Sequence, residues 1–277
     1  MKRHITLKDF IIDEDIEDWN ERTERLQRNY VKQNFHEGSL GSPFSDAQRT
    51  FALAVMGNRP HQEALAFLTQ SKDLGIAHLV FGNNPGKEVE LKLFNETYHT
   101  IGVNEGAFMN VAFWNDVLSA AIICRDAEGK DFLRSLDNSV FENANIKPDE
   151  LDLLFVRIQK GMIGDDPQLA ENLEDMITAI HSGQMDKAKL PYRQKMVLPF
   201  LKLYQSILAN DSDKFNSDLN SALQMHQTFW STSDREYKPD GWVSIPLLTT
   251  CSLAFDKGIN ITVSSEYIPE WLYRAEF

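Results

Sequence analysis

His226 is the residue whose type and surroundings come nearest to proton-transfer chemistry. It shares an apolar stripe with Leu219, Leu223 and Trp230, so a helix there would turn it inward. A catalytic imidazole needs a partner acid or nucleophile, and none stands near it in a recognisable motif. The pattern reads as a hydrogen-bonded seam histidine. The seven histidines form no HExxH and no other helical pair at metal spacing. "GNNPGKE" at 82–88 resembles a phosphate-binding loop, but its glycines are one residue too close, and Glu88 stands where a magnesium-binding hydroxyl belongs. "DEDIED" at 13–18 has the carboxylate density of a calcium loop, yet Asp18 occupies the position that needs glycine. Cys124 and Cys251 lie alone in "SAAIICRD" and "LLTTCSLAF", where they read as small core residues. Arg125–Asp126 follows a long apolar run. It is either an anion clamp or a helix junction, with Asp126 capping the next helix and Arg125 spanning the turn. No GxSxG or GxGxxG motif occurs.

The elements that would position these residues are mostly helical. "DEDIED" leads into "WNERTERLQRNY", acids first and arginines later, as a helix dipole favours; Gly38 and "GSLGSP" end that segment. Ser45 with Gln48 predicts a capping box. A further helix is expected from Pro60 toward Gly75. In "AHLVFGNNPGKEVELKLF", Val89, Leu91 and Leu93 alternate with Glu88, Glu90 and Lys92. That alternation with "NNPG" favours a β-hairpin, and a helix from near Glu88 is the alternative. "FWNDVLSAAIICRD" is apolar almost all round, which implies burial on several sides. "KPDELDLLFVRI" places Pro148 at an expected first helical position. Leu169, Leu173, Met176, Ile177 and Ile180 form one amphipathic face, and Phe215, Leu219, Ala222, Leu223, Phe229 and Trp230 another. Pro199 starts or kinks a helix between them.

The ending is different. Pro246 opens a last long helix, Lys257 and Gly258 close it, and Ile259, Ile261 and Val263 alternate with Asn260, Thr262 and Ser264. Pro269 then starts a short terminal helix whose Trp271 and Leu272 are expected to fold back as a structural seam. Together these signals predict a mainly all-α fold. It is an irregular helical-hairpin array or solenoid-like bundle, with a small hairpin if 77–94 is not helical, and a short C-terminal extended segment.

Composition narrows the function classes. Apolar residues make up 42% and charged residues 25%, which suits a globular protein without disulfide or metal staples. The net charge of −13, from 41 Asp and Glu against 28 Lys and Arg, disfavours nucleic acid and anionic membrane and favours a basic partner; solubility alone also accounts for it. No apolar run approaches the length of a membrane helix, and no secretion signal precedes the first helix. A cytoplasmic protein is expected.

"FWNDVLSAAIICRDAEGKDFLRSL", "LPFLKLYQSILANDSDKFNSDLNSALQ" and "WVSIPLLTTCSLAFDKGINITVSSEYIPEWL" resemble the immunity protein 49 family of bacterial toxin–immunity systems. The likeness rests on a tryptophan-containing helix ending in Arg-Asp, on a long helix pair, and on the ending of helix, glycine, alternating apolar residues and "YIP". It covers residues 110–273 well and 45–70 loosely. The chain is expected to form a single all-α domain over 1–277, with residues 1–110 carrying the N-terminal helices and, if it forms, the hairpin, and residues 111–277 the family-like core. The resemblance implies a cytoplasmic protein that binds and neutralises a cognate toxin, with no catalytic residues, cofactor or metal. A helical adaptor or an enzyme with an unrecognised site are the rivals. If the toxin is basic, the acids Asp13, Glu14, Asp15, Glu17 and Asp18, or Glu171, Glu174 and Asp175, are the expected contact faces.

Overall fold

A computed structural model describes residues 1–6, 12–32, 35–36, 38–142, 144–183 and 187–277. The protein is mainly α-helical, with one two-stranded antiparallel sheet among the described residues. The chain divides into two compact units: Leu7–Asp149, and Met1–Thr6 together with Glu150–Phe277.

In the first unit, α1 (Ile12–Val31) opens with Asp13, Glu14 and Asp15 in its first turn and buries Ile16, Trp19 and Tyr30. It packs on α2 (Gly41–Met56), which pairs along its length with α3 (His61–Gly82). The expected start at Ser45 is overturned: α2 begins a turn earlier, and Ser45 lies exposed within it. Pro43 sits in that first turn, where a missing N–H costs nothing. α3 likewise runs past Gly75 to Gly82. Gly75 does not end the helix but lets α3 approach α4 (Val111–Ile123): a Cβ there would lie 2.4 Å from Val117 Cγ2. α4 is buried almost all round, and α5 (Ala127–Ser135) packs on it.

The hairpin exists, but its turn is not "NNPG". β1 (Glu88–Leu93) pairs with β2 (Glu96–Ile101), Leu93 opposite Glu96. The two turn residues, Phe94 and Asn95, have φ of 53° and 63°, as a type I′ turn requires. "NNPG" links α3 to β1, because residues 77–82 belong to the apolar stripe of the helix.

The second unit contains α6 (Glu150–Met162) and α7 (Leu169–Ser182), packed on each other. Pro148 stands ahead of α6 rather than at its first position. α8 (Leu190–Tyr192) runs through a π-helical segment at Arg193–Val197 into α9 (Leu198–Leu208), with Pro199 in the first turn of α9. Leu198 N–H donates to Arg193 O across that π turn, directly ahead of Pro199. α10 (Ser212–Trp230) packs on α9, and α11 (Ile245–Asp256) on both.

One construction occurs in both units. α2 and α3 are joined at Asn58, and α9 and α10 at Asn210, with φ of 50° and 51°. Asn58 N–H donates to Val55 O and Arg59 N–H to Ala54 O; Asn210 N–H donates to Ile207 O and Asp211 N–H to Ser206 O. This is a Schellman ending in each case. The third helices, α4 and α11, close in the same way through Arg125 (φ 56°) and Gly258 (φ 83°).

After Gly258, Ile259 and Ile261 are buried, Val263 is half-buried, and Asn260, Thr262 and Ser264 face outward. The segment is extended but joins no sheet. Asn216 of α10 holds it instead, donating to Asn260 O at 2.8 Å and accepting from Thr262 N–H at 2.7 Å. In α12 (Glu270–Tyr273), Leu272 is fully buried while Trp271 is only half-buried. The tail is packed as expected, but its anchors are Leu272, Tyr267 and Ile268 rather than the tryptophan ring.

Candidate functional site

Arg125–Asp126 is a helix junction. Asp126 caps α5 by accepting from Gly129 N–H at 2.9 Å and pairs with Lys72 at 2.6 Å. Lys72 also pairs with Asp73 at 2.8 Å, and its side chain is only 12% exposed. Burial opposes ionisation of Asp126, but the Lys72 ammonium and the Gly129 amide outweigh it and hold the carboxyl below its ordinary range. For Asp73, burial prevails and its pKa is raised. The Arg125 guanidinium turns back onto Ile122 O and Ile123 O, the end of its own helix. Cap, ion pair and arginine together staple α3 to the α4–α5 corner, and every group of the would-be anion clamp is used internally.

His226 lies at the end of α10, 2% exposed. Its Nε2 is 3.2 Å from Gly241 O, just ahead of α11, and its Nδ1 is buried with no hydrogen-bond partner among the described residues. Burial depresses its pKa to about 4. His78 does the same in the other unit, where no stripe or motif marks it in the sequence. At the end of α3, His78 Nε2 lies 3.1 Å from Ala107 O, ahead of α4, and its Nδ1 is buried without a partner among the described residues. Burial takes its pKa down to about 4 as well. Each neutral ring donates through Nε2 and clips a loop to a helix end. The same clip in equivalent places of both units is the mark of scaffold, not of chemistry.

Around His226 the N-terminal residues meet the C-terminal segment. Residues 1–6 lie along the 264–267 segment of the second unit. Arg3 Nε donates to Trp242 O at 2.6 Å, Arg3 N–H to Glu266 Oε2 at 3.1 Å, and Lys2 pairs with Glu266 at 2.7 Å. His4 N–H donates to the Tyr267 hydroxyl at 2.8 Å, and the Tyr267 ring meets His226 edge-on at 4.9 Å. The C-terminal segment is therefore a seam closed from outside by the N-terminus. Contacts spanning more than two hundred residues leave no local signature in sequence.

The acids divide by position. Asp13 pairs with Arg59, and Asp15 with Arg49 at 3.1 Å, fastening α1 to the α2–α3 hairpin. Glu14, Glu17 and Asp18 are exposed on α1. Glu171, Glu174 and Asp175 are exposed on α7, opposite its buried Leu169, Leu173, Met176 and Ile180. The two groups belong to different units. Among the described residues no cluster of three or more His, Cys, Asp or Glu is arranged to hold a metal ion, and no helix is long and apolar enough to cross a membrane.

No curated protein sequence and no solved structure matches the chain. The sequence model of one family does, "Immunity protein 49", over residues 48–272. That span runs from within α2 to α12 and takes in both copies of the repeated construction, both histidine clips and the hairpin. The chain belongs to the immunity protein 49 family.

Proposed function

We propose that this protein protects its cell by binding a cognate toxin directly, without catalysis, in the cytoplasm. Family membership carries this reading. The side chains with chemical potential fit it: the buried histidines serve as loop clips, and Arg125, Asp126 and Lys72 as a helix staple. Inhibition by contact needs a preorganised surface, with electrostatics raising the encounter rate. The net charge of −13 suits a basic toxin surface. Glu14, Glu17 and Asp18 are the better candidates on α1, because Asp13 and Asp15 are committed to arginines; Glu171, Glu174 and Asp175 are the candidates on α7.

Co-expression with the toxin encoded by the adjacent gene tests the proposal. Growth should be rescued and the two proteins should purify together. Absence of both rescue and complex at micromolar concentration would refute it.

A further inference from the structure

The two copies of the repeated construction differ in what joins their second and third helices. In the second unit residues 231–244 suffice, with one short 3-10 turn at Pro239–Gly241. In the first unit residues 83–110 make the same journey and contain the β1–β2 hairpin. Both arrive at the same histidine-to-carbonyl clip, so the clip does not require the hairpin, and the hairpin is an addition to the scaffold. It is firmly mounted. Val89, Leu91, Leu93 and Tyr98 are buried, β1 packs on α3, and the Tyr98 ring lies 5.8 Å from Tyr30 and 6.2 Å from Phe35.

Its far edge is open. Gly102 gives its N–H to Lys87 O and accepts at its C=O from Gly86 N–H, so both groups face the β1 side. Strand alternation then points the backbone groups of Thr100, Tyr98 and Glu96 toward β1 and those of Ile101, His99 and Thr97 away from it. The outward N–H and C=O groups of these three residues have no partner among the described residues. No proline or bulge guards the edge, and Ile101 is 56% exposed beside it.

We propose that the outer edge of β2 takes up an extended strand of the toxin by backbone pairing, an inference that rests on the immunity reading above. An unpaired edge recognises extended backbone before it recognises any side chain. The exposed Glu88, Glu90 and Glu96 outnumber Lys87 and Lys92 on the hairpin, and with the net charge of −13 over the chain they favour a strand carrying Lys or Arg, with an apolar residue set against Ile101. The charge of −13 on each molecule disfavours a second copy of this chain as the occupant.

Amide hydrogen exchange of the full-length protein, free and mixed with the toxin encoded by the adjacent gene, tests this residue by residue. Exchange should slow at Thr97, His99 and Ile101 and stay unchanged at Glu96, Tyr98 and Thr100. His99→Pro removes one outward donor and leaves the β1–β2 ladder intact, so it should weaken the complex about tenfold or more. A wild-type complex with no alternation in exchange and an unaltered Kd for His99→Pro overturns the edge site and leaves the immunity reading standing. No wild-type complex overturns both. A homodimer that His99→Pro abolishes would assign the edge to a second copy and likewise overturn the proposal.

Discussion

His226 and His78 set how the fold responds to acid. Their folded pKa values of about 4 lie below the ordinary 6.5 because burial penalises the charged ring. The unfolded chain therefore takes up protons first as pH falls, so their contribution is complete above pH 6.5 and is lost progressively toward pH 4. Between pH 7 and pH 5 each histidine should cost about 2 kcal/mol of stability. Urea unfolding of the wild type and of a His78→Gln, His226→Gln double variant checks this: the variant should be less stable at pH 7 and flatter in its pH dependence. Asp126→Ala should lose about 1–3 kcal/mol, since it removes a helix cap and leaves the largely buried Lys72 with Asp73 as its remaining carboxylate partner. Gly75→Ala should destabilise by about 1–3 kcal/mol although alanine is the better helix former, because its methyl group would strike Val117. Thermal melts of both variants decide. At this scale the sequence was legible where a residue acts on its neighbours, as Asp126 does in capping α5. It was silent where a residue acts across the fold, as with Arg3 on Trp242, or His78 on Ala107.

Among the elements, periodicity revealed the helices because each buries a continuous stripe; α7 and α10 bury nearly the residues their spacing names. Boundaries were harder. The Ser45 box was overridden by Phe44, whose burial against the core draws the helix a turn earlier. β1 was legible from its alternation, but its partner was not, since a turn with phenylalanine at positive φ carries none of the usual glycine signal. The C-terminal element yields a comparison. Leu272→Ala should cost about 3–4 kcal/mol, whereas Trp271→Ala, whose ring is half-buried, should cost clearly less. Arg3→Ala should lower stability by about 1–2 kcal/mol through the lost bonds to Trp242 and Glu266. Denaturant titration ranks the three, and a Trp271 variant as damaged as the Leu272 one would contradict the packing described for α12.

At the scale of the whole molecule, a family profile that spans both units and their repeated construction describes a scaffold, and the specificity of an immunity protein then falls to what the scaffold displays. If the proposed toxin surface is basic, the net charge of −13 attracts it, and association should slow as salt rises above about 0.1 M, where screening reaches roughly 10 Å. Charge neutralisation at Glu14, Glu17 and Asp18, set against the same change at Glu171, Glu174 and Asp175, should show which face contributes, read as the loss of that salt dependence. Neutralisation by contact is stoichiometric, and titration of the purified toxin's activity with this protein reads that stoichiometry. Activity should fall linearly to an end point at a fixed molar ratio, with the mass of the toxin unchanged after separation. Inhibition by a small fraction of an equivalent with a covalently altered toxin, or no inhibition at any ratio, would contradict it.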